Sequence, residues 1–153
     1  ADARAAFERG SVDAWVIWDP YQAAAEQQLH ARTLRDASGI ADNHQFYLAT
    51  KPFTEQHPKV IETLVDEVRN VGEWAKSNPE DVTKQVAPIL GLSPEITLTA
   101  VKRQGYGAQF LTPEVVNAQQ KIADTFHQLK LIPKPLVIKD VIWTPPAAVA
   151  NAN

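Results

Sequence analysis

Cysteine is absent from all 153 residues. That excludes thiolate metal sites, thiol redox chemistry and structural disulfides, without deciding between cytoplasm and periplasm, because cysteine-free chains occur in both. Excess charge is also missing. The sum of 15 Lys and Arg against 18 Asp and Glu is −3, and the basic residues do not cluster. Nothing here would attract a polyanion, so neither nucleic acid nor anionic lipid is an expected partner. No window approaches the length of apolar run that a membrane-spanning helix needs.

Catalytic patterns are equally sparse. His30, His44, His57 and His127 are scattered, with no HxxxH or HExxH pair. Asp42-Asn43-His44 reads as a hydrogen-bonded surface turn in preference to a ligand cluster. There is no GxSxG elbow, and Ser11, Ser38, Ser77 and Ser93 fall where a hydroxyl serves a turn or a cap. Asp66 and Glu67 sit on the exposed side of a long amphipathic helix, as a solvated face and not an acid/base pair. The expectation is therefore no enzyme, no metal and no cofactor.

What is present is the composition of a globular protein, 44% hydrophobic and 22% charged, at the length of one ordinary domain. ADARAAFERG opens the chain inside a helical pattern that stops at Gly10, with no initiator Met and no signal-like segment. Such a start suits a processed mature chain or a piece of something longer, and the expectation is the second, because the first residues need a partner surface that nothing upstream supplies. Val12–Trp18 is a nearly continuous apolar run, with Val12, Ala14, Val16 and Trp18 on one side and Trp15 and Ile17 on the other. That pattern suits a strand covered on both faces in a parallel sheet. An Ala-rich helix over 20–29 follows, then strand candidates at 32–35 and 45–50 around a polar loop, 36–43. This is a βαβ rhythm.

Beyond Lys51 helices dominate. A helix over 58–77 carries Ile61, Leu64, Val65, Val68, Val71 and Ala75 as one stripe, bordered by Trp74. Asn78-Pro79-Glu80, Ser93-Pro94-Glu95 and Thr112-Pro113-Glu114 each place a capping residue before a Pro and an acid. The cap accepts from orphan N–H groups, the Pro loses nothing at the first helical position, and the acid meets the positive end of the dipole. The helix after Thr112 should bury Val115, Ala118, Ile122, Phe126 and Leu129. Leu136–Trp143 reads as extended and 145–153 as a disordered tail. The fold class expected is α/β, rich in helix with a few short strands.

Two segments are candidates for ligand contact. Trp18-Asp19-Pro20 lies where an apolar strand meets a helix, and open α/β sheets bind ligands beyond the carboxyl ends of their strands. Trp18 is either core or the apolar wall of a cleft. Asp19 is either the cap of the next helix or a ligand contact. As a cap, its charge would repel an anionic head group, leaving Trp18 to cover an organic tail; alternatively Asp19 meets a cationic or donor group. Arg103-Gln104-Gly105-Tyr106-Gly107 lacks the ending of a phosphate loop and reads as a helix C-terminal turn using glycines at positive φ, with Tyr106 able to line a cleft.

AAFERGSVDAWVIWDPYQAAAE, HARTLRDASGI, NHQFYLA, HPKVIETLVDEV and GYGAQFLTPEVVNAQQKIADTFHQLKLIPKPL, with VIW beyond it, resemble the substrate-binding proteins of ABC importers for aliphatic sulfonates. The likeness runs from residue 1 to about 143, and GxVDAWxxWDPY is its most specific part. The resemblance implies the C-terminal half of a two-lobed, hinge-bending type II periplasmic binding protein. By that likeness, residues 1–47 end the second lobe and 48–144 return to the first. It also implies a periplasmic location, a small sulfonate ligand and a membrane permease as partner. Trp18 and Asp19 carry over as cleft residues, with Tyr106 and Asn43 as further candidates. The groups expected to hold the sulfonate belong to the half that this chain lacks, so apolar surface should be left for that half or a second copy to cover. Alternatives are a receptor of this fold for taurine, nitrate or another solute, a helical interaction fragment, or an enzyme making a pyrimidine precursor. The last would need a Cys-rich iron motif or a reactive Lys–His pair, and the lack of Cys counts against it.

Overall fold

The computed structural model describes residues 2–146. Within them the chain forms seven α-helices: α1 Asp2–Glu8, α2 Tyr21–Leu29, α3 Lys51–Gln56, α4 Pro58–Ser77, α5 Pro79–Leu90, α6 Pro94–Arg103 and α7 Pro113–Gln128. A 3-10 turn follows at Ile138–Val141. The sequence-based tail at 145–153 lies almost wholly outside the described residues.

Helix boundaries follow local chemistry. Gly10 stops the first helical segment at φ +68°. Pro79, Pro94 and Pro113 open α5, α6 and α7 as expected. Two of the three caps form: Ser93 Oγ accepts from the Ile96 N–H at 3.3 Å and Thr112 Oγ1 from the Val115 N–H at 3.4 Å. Asn78 does not cap. Its amide instead donates back to the Trp74 carbonyl at 2.8 Å, so it closes the end of α4 and leaves the start of α5 to the proline and acids.

The expected strands are corrected. Among the described residues none pairs as a strand; the segments around 12–18, 32–35 and 45–50 form no ladder, and 136–143 contains the 3-10 turn. Apolar patterning reports which faces seek cover, whereas a strand also needs another strand in register to form a ladder, and that is a tertiary matter. Nor is Val12–Trp18 covered on both sides. Trp15 and Ile17 are half-buried, with Trp15 against the Phe7 ring of α1 at 6.2 Å. Val16, on the other side, is 94% exposed.

The chain divides into two compact units. Among the described residues, one comprises 2–36 and Val71–Tyr106, the other Ala37–Asn70 and 107–146. In the first, α2 and α5 pack against α6. Ala23 and Ala24 of α2 are fully covered and meet Ile96 of α6, which is 2% exposed, with Leu92 packed alongside. Three consecutive alanines let the helix backbones come close, and a large branched residue then fills the seam. Gln27 spans the same pair of helices, donating to Thr99 Oγ1 at 3.1 Å.

In the second unit, Gln120 of α7 donates to the Leu136 carbonyl and accepts from the Ile138 N–H, both at 2.8 Å. Its amide bonds this extended segment much as a neighbouring strand would. Phe110 and Trp143 meet with ring centroids 5.9 Å apart, and Arg69 Nε donates to the Ala108 carbonyl at 3.0 Å.

The expected buried stripes are only partly covered. On α4, Val65 and Ala75 are buried, but Leu64 and Val71 are exposed. On α7, Ala123 is buried, while Ile122, Phe126 and Leu129 of the expected face are exposed. An amphipathic stripe marks the side that favours a partner; whether a partner surface lies against it is a tertiary matter. No helix among the described residues is long and apolar enough to cross a membrane.

Candidate functional site

The corner from Trp18 into α2 holds two of the candidate residues. Trp18 is 67% exposed, so it is a surface ring in this structure and not a core residue. The turn holds its backbone, because the Trp18 carbonyl accepts from the Gln22 N–H at 3.1 Å. Asp19 Oδ1 accepts from the Ala23 N–H at 3.0 Å, which makes it a cap of α2 from one residue before Pro20. The Ala-rich start of α2 supplies no competing side chain for that N–H group.

Asp19 also meets a cation. Arg103, the last residue of α6, places Nη1 3.6 Å from Asp19 Oδ1 and Nη2 2.7 Å from Glu26 Oε2. The second oxygen of Glu26 accepts from Gln22 Nε2 and from Thr33 Oγ1, both at 3.1 Å. The Arg103 hydrogen bond holds the Glu26 carboxyl below its ordinary range against the opposing effect of burial, with Gln22 and Thr33 assisting. The same contact raises the Arg103 guanidinium. Two carboxylates and one guanidinium leave this corner with a local charge of −1. An anionic head group gains nothing there, whereas an organic body can lie on the open face of Trp18.

Three residues beyond Arg103, Tyr106 is partly buried and donates from its hydroxyl to the Val101 carbonyl at 3.1 Å. Desolvation raises its phenol above the usual tyrosine range. It borders an open concavity of about 330 Å³ that Lys76, Lys102 and Gln104 also line. α6 ends by turning into extended backbone at Gln104. Of the two glycines expected at positive φ, Gly107 has it, at +128°, and Gly105 does not.

The structure thus brings Trp18 and Asp19 to one corner and places Tyr106 in the same compact unit. Asn43, the fourth candidate, is exposed in the second unit. Sequence reasoning missed Glu26 and Arg103. Glu26 lies seven residues, two helical turns, beyond Asp19 and could be placed on the same side of α2 from spacing. Arg103 was noticed only for the glycines after it, and nothing local indicates that it reaches α2. No group of three or more His, Asp or Glu among the described residues is arranged to hold a metal ion.

The chain is similar to known proteins over nearly its whole length, but to only about half of theirs. The putative aliphatic sulfonates-binding protein of Escherichia coli K12 is 36% identical over 146 residues, covering 95% of this chain and 46% of that protein. Its counterpart in Bacillus subtilis is 28% identical, covering 92% and 43%. A 2'-hydroxybiphenyl-2-sulfinate desulfinase of Rhodococcus erythropolis is 26% identical, covering 94% and 40%. Among solved structures, the periplasmic aliphatic sulphonate binding protein SsuA of Escherichia coli superposes with a TM-score of 0.89 at 34% identity, covering 94% of this chain and 47% of that one. The alkanesulfonate-binding protein SsuA of Xanthomonas axonopodis pv. citri, bound to MOPS, gives 0.80 at 28% identity, covering 93% and 50%. No protein-family model matches the chain. By sequence and by fold the chain matches one half of aliphatic sulfonate-binding proteins, and it spans about half the length of the relatives it matches.

Proposed function

We propose that this chain is the C-terminal half of a periplasmic solute-binding protein that captures aliphatic sulfonates for an ABC importer. The observation that carries the reading is the 36% identity across 95% of the chain to an aliphatic sulfonates-binding protein, and the exposed Trp18 corner supplies its chemistry. Trp18 forms the wall for the organic tail, and Asp19 sits at the base of that wall, committed to α2 and Arg103. The sulfonate head binds away from this acidic corner, on groups from the other half. Tyr106 and Asn43 are further cleft residues. Residues 1–47 complete the second lobe and 48–144 return to the first, with a membrane permease receiving the closed form. Ligand contacts from both lobes stabilise that closed form.

Exposed apolar side chains support the same reading. Leu48 and Val16 are more than nine-tenths exposed, and sheet strands from the other half would cover them. A desulfinase reading rests on lower identity, and both substrate classes are organic sulfur oxyanions, so the catalytic step and not the ligand distinguishes them.

The test is calorimetric titration with MOPS of this chain joined to the part of the Escherichia coli protein that it does not cover. Saturable binding is expected, with thermal stabilisation of about 2.7 kcal/mol at a hundredfold excess over Kd. A folded, joined protein that binds neither MOPS nor a simple alkanesulfonate would sink the reading.

A further inference from the structure

Arg103 belongs to α6, yet its guanidinium reaches the place where the chain turns into α2. It spans two carboxylates, Asp19 at 3.6 Å through Nη1 and Glu26 at 2.7 Å through Nη2. Glu26 in turn gathers Gln22 and Thr33. One planar cation thereby joins four pieces of backbone: the exit of the apolar segment, the body of α2, the extended stretch after α2 and the last turn of α6. A guanidinium can donate from one nitrogen to Glu26 while a second nitrogen faces Asp19 at ion-pair distance; an ammonium carries all its donors on one atom and cannot occupy both places at once.

We propose that Arg103 is a positioning residue for the Trp18 wall. By spanning Asp19 and Glu26 it sets the angle at which the chain leaves Trp18 for α2, and so where the indole presents its face. Arg103 does not itself touch the ligand. It also starts the turn leading to Tyr106, so the same tether registers both candidate walls within this unit. The Arg103 side chain is 41% exposed, and ion pairs so open to water add little to stability. Its effect is on geometry. The role in binding rests on the sulfonate-receptor reading, whereas the effect on Trp18 does not.

The chain has four tryptophans, so labelling with 5-fluorotryptophan yields four fluorine resonances, and Trp18→Phe assigns one of them. Arg103→Gln is expected to displace or broaden the Trp18 resonance while Trp74 and Trp143 stay in place, and Arg103→Lys is expected not to restore it. Glu26→Gln should move the Trp18 signal in the same direction by a smaller amount, and with Arg103→Lys it carries the test if Arg103→Gln does not fold. A Trp18 resonance unmoved in the Arg103 variants overturns the proposal.

In the joined protein, Arg103→Gln should bind MOPS at least tenfold more weakly, a change of about 1.4 kcal/mol, with a melting temperature lowered only by the few degrees that loss of a half-exposed ion pair brings. Equal affinity with and without Arg103 also overturns it. Failure of the unsubstituted joined protein to bind MOPS removes the sulfonate reading instead, and the fluorine spectra then decide the positioning role on their own.

Discussion

Arg103 donates through Nη2 to Glu26 Oε2 at 2.7 Å, across 77 residues of chain. The contact fastens the end of α6 to the middle of α2 on the side where Trp18 leaves its extended segment. The buried seam of Ala23, Ala24 and Ile96 joins the same two helices. One pair of helices is therefore held by an apolar contact and by a half-exposed polar one, and the two should respond differently to substitution and to pH.

The polar contact has an acid limit. Arg103, Gln22 and Thr33 hold the Glu26 carboxyl below its ordinary value of 4.5, against burial. A depressed carboxylate contributes stability that is fully present above its unfolded value and is lost as pH falls through the lower folded one. Glu26→Gln should therefore cost about 0.5–1 kcal/mol at pH 7, given solvent screening of a partly exposed pair. That difference should vanish in acid, well below 4.5. Urea unfolding of both proteins at neutral and acid pH measures it, and a difference independent of pH would contradict this account.

The apolar seam should be far more sensitive. Ile96 is 2% exposed and faces alanines that cannot grow into a vacancy, so Ile96→Ala should destabilise by roughly 2–5 kcal/mol. Val16→Ala, at a position 94% exposed, should fall within about 0.5 kcal/mol of the parent. Denaturant midpoints for the pair decide between a seam-centred core and an evenly shared one.

Trp18 separates binding from stability. A buried Trp→Ala costs roughly 3–5 kcal/mol, but this ring is two-thirds exposed. Trp18→Ala should lower the melting temperature of the chain only slightly and should weaken MOPS binding in the joined protein. A melting loss of buried-residue size would show that the ring is covered in solution.

The α2 terminus offers a gain. His30 follows α2 at φ +53° and donates its N–H to the Ala25 carbonyl, a left-handed position that glycine occupies without steric cost. His30→Gly should stabilise the chain by about 0.5–1 kcal/mol, read as a raised melting temperature. Ser93→Ala, which removes a working cap, should cost about 1 kcal/mol and serves as the opposite control.

Much of the local structure was legible because its causes are local. Pro94 and Pro113 could be placed at helix starts, since a ring with fixed φ and no N–H fits one position of a helix best. Ser93 and Thr112 then had orphan N–H groups within reach. Asn78 shows where such reasoning ends. Its amide can accept from an N–H ahead or donate to a carbonyl behind, and in the structure it donates to Trp74. The Trp18-Asp19 corner was visible as a change from apolar run to helix, and Asp19 as a cap of α2. The cation that Asp19 meets was not visible, because 84 positions separate Asp19 from Arg103 and no periodicity reaches that far.

The stripe on α4 and the run Val12–Trp18 mark where local and tertiary information part. Periodicity established by itself that these segments seek cover, that α4 is one long helix, and that Trp18 ends an apolar run before a capped helix. Only the tertiary structure decided which apolar faces are covered: Val65 and Ala75 but not Val71, Trp15 but not Val16. The reason is that a side chain's preference for burial is a property of the residue, whereas burial is a property of the surface laid against it. For the same reason Arg103 could be counted from the sequence as one of the 15 basic residues, but the fold alone brought it between Asp19 and Glu26.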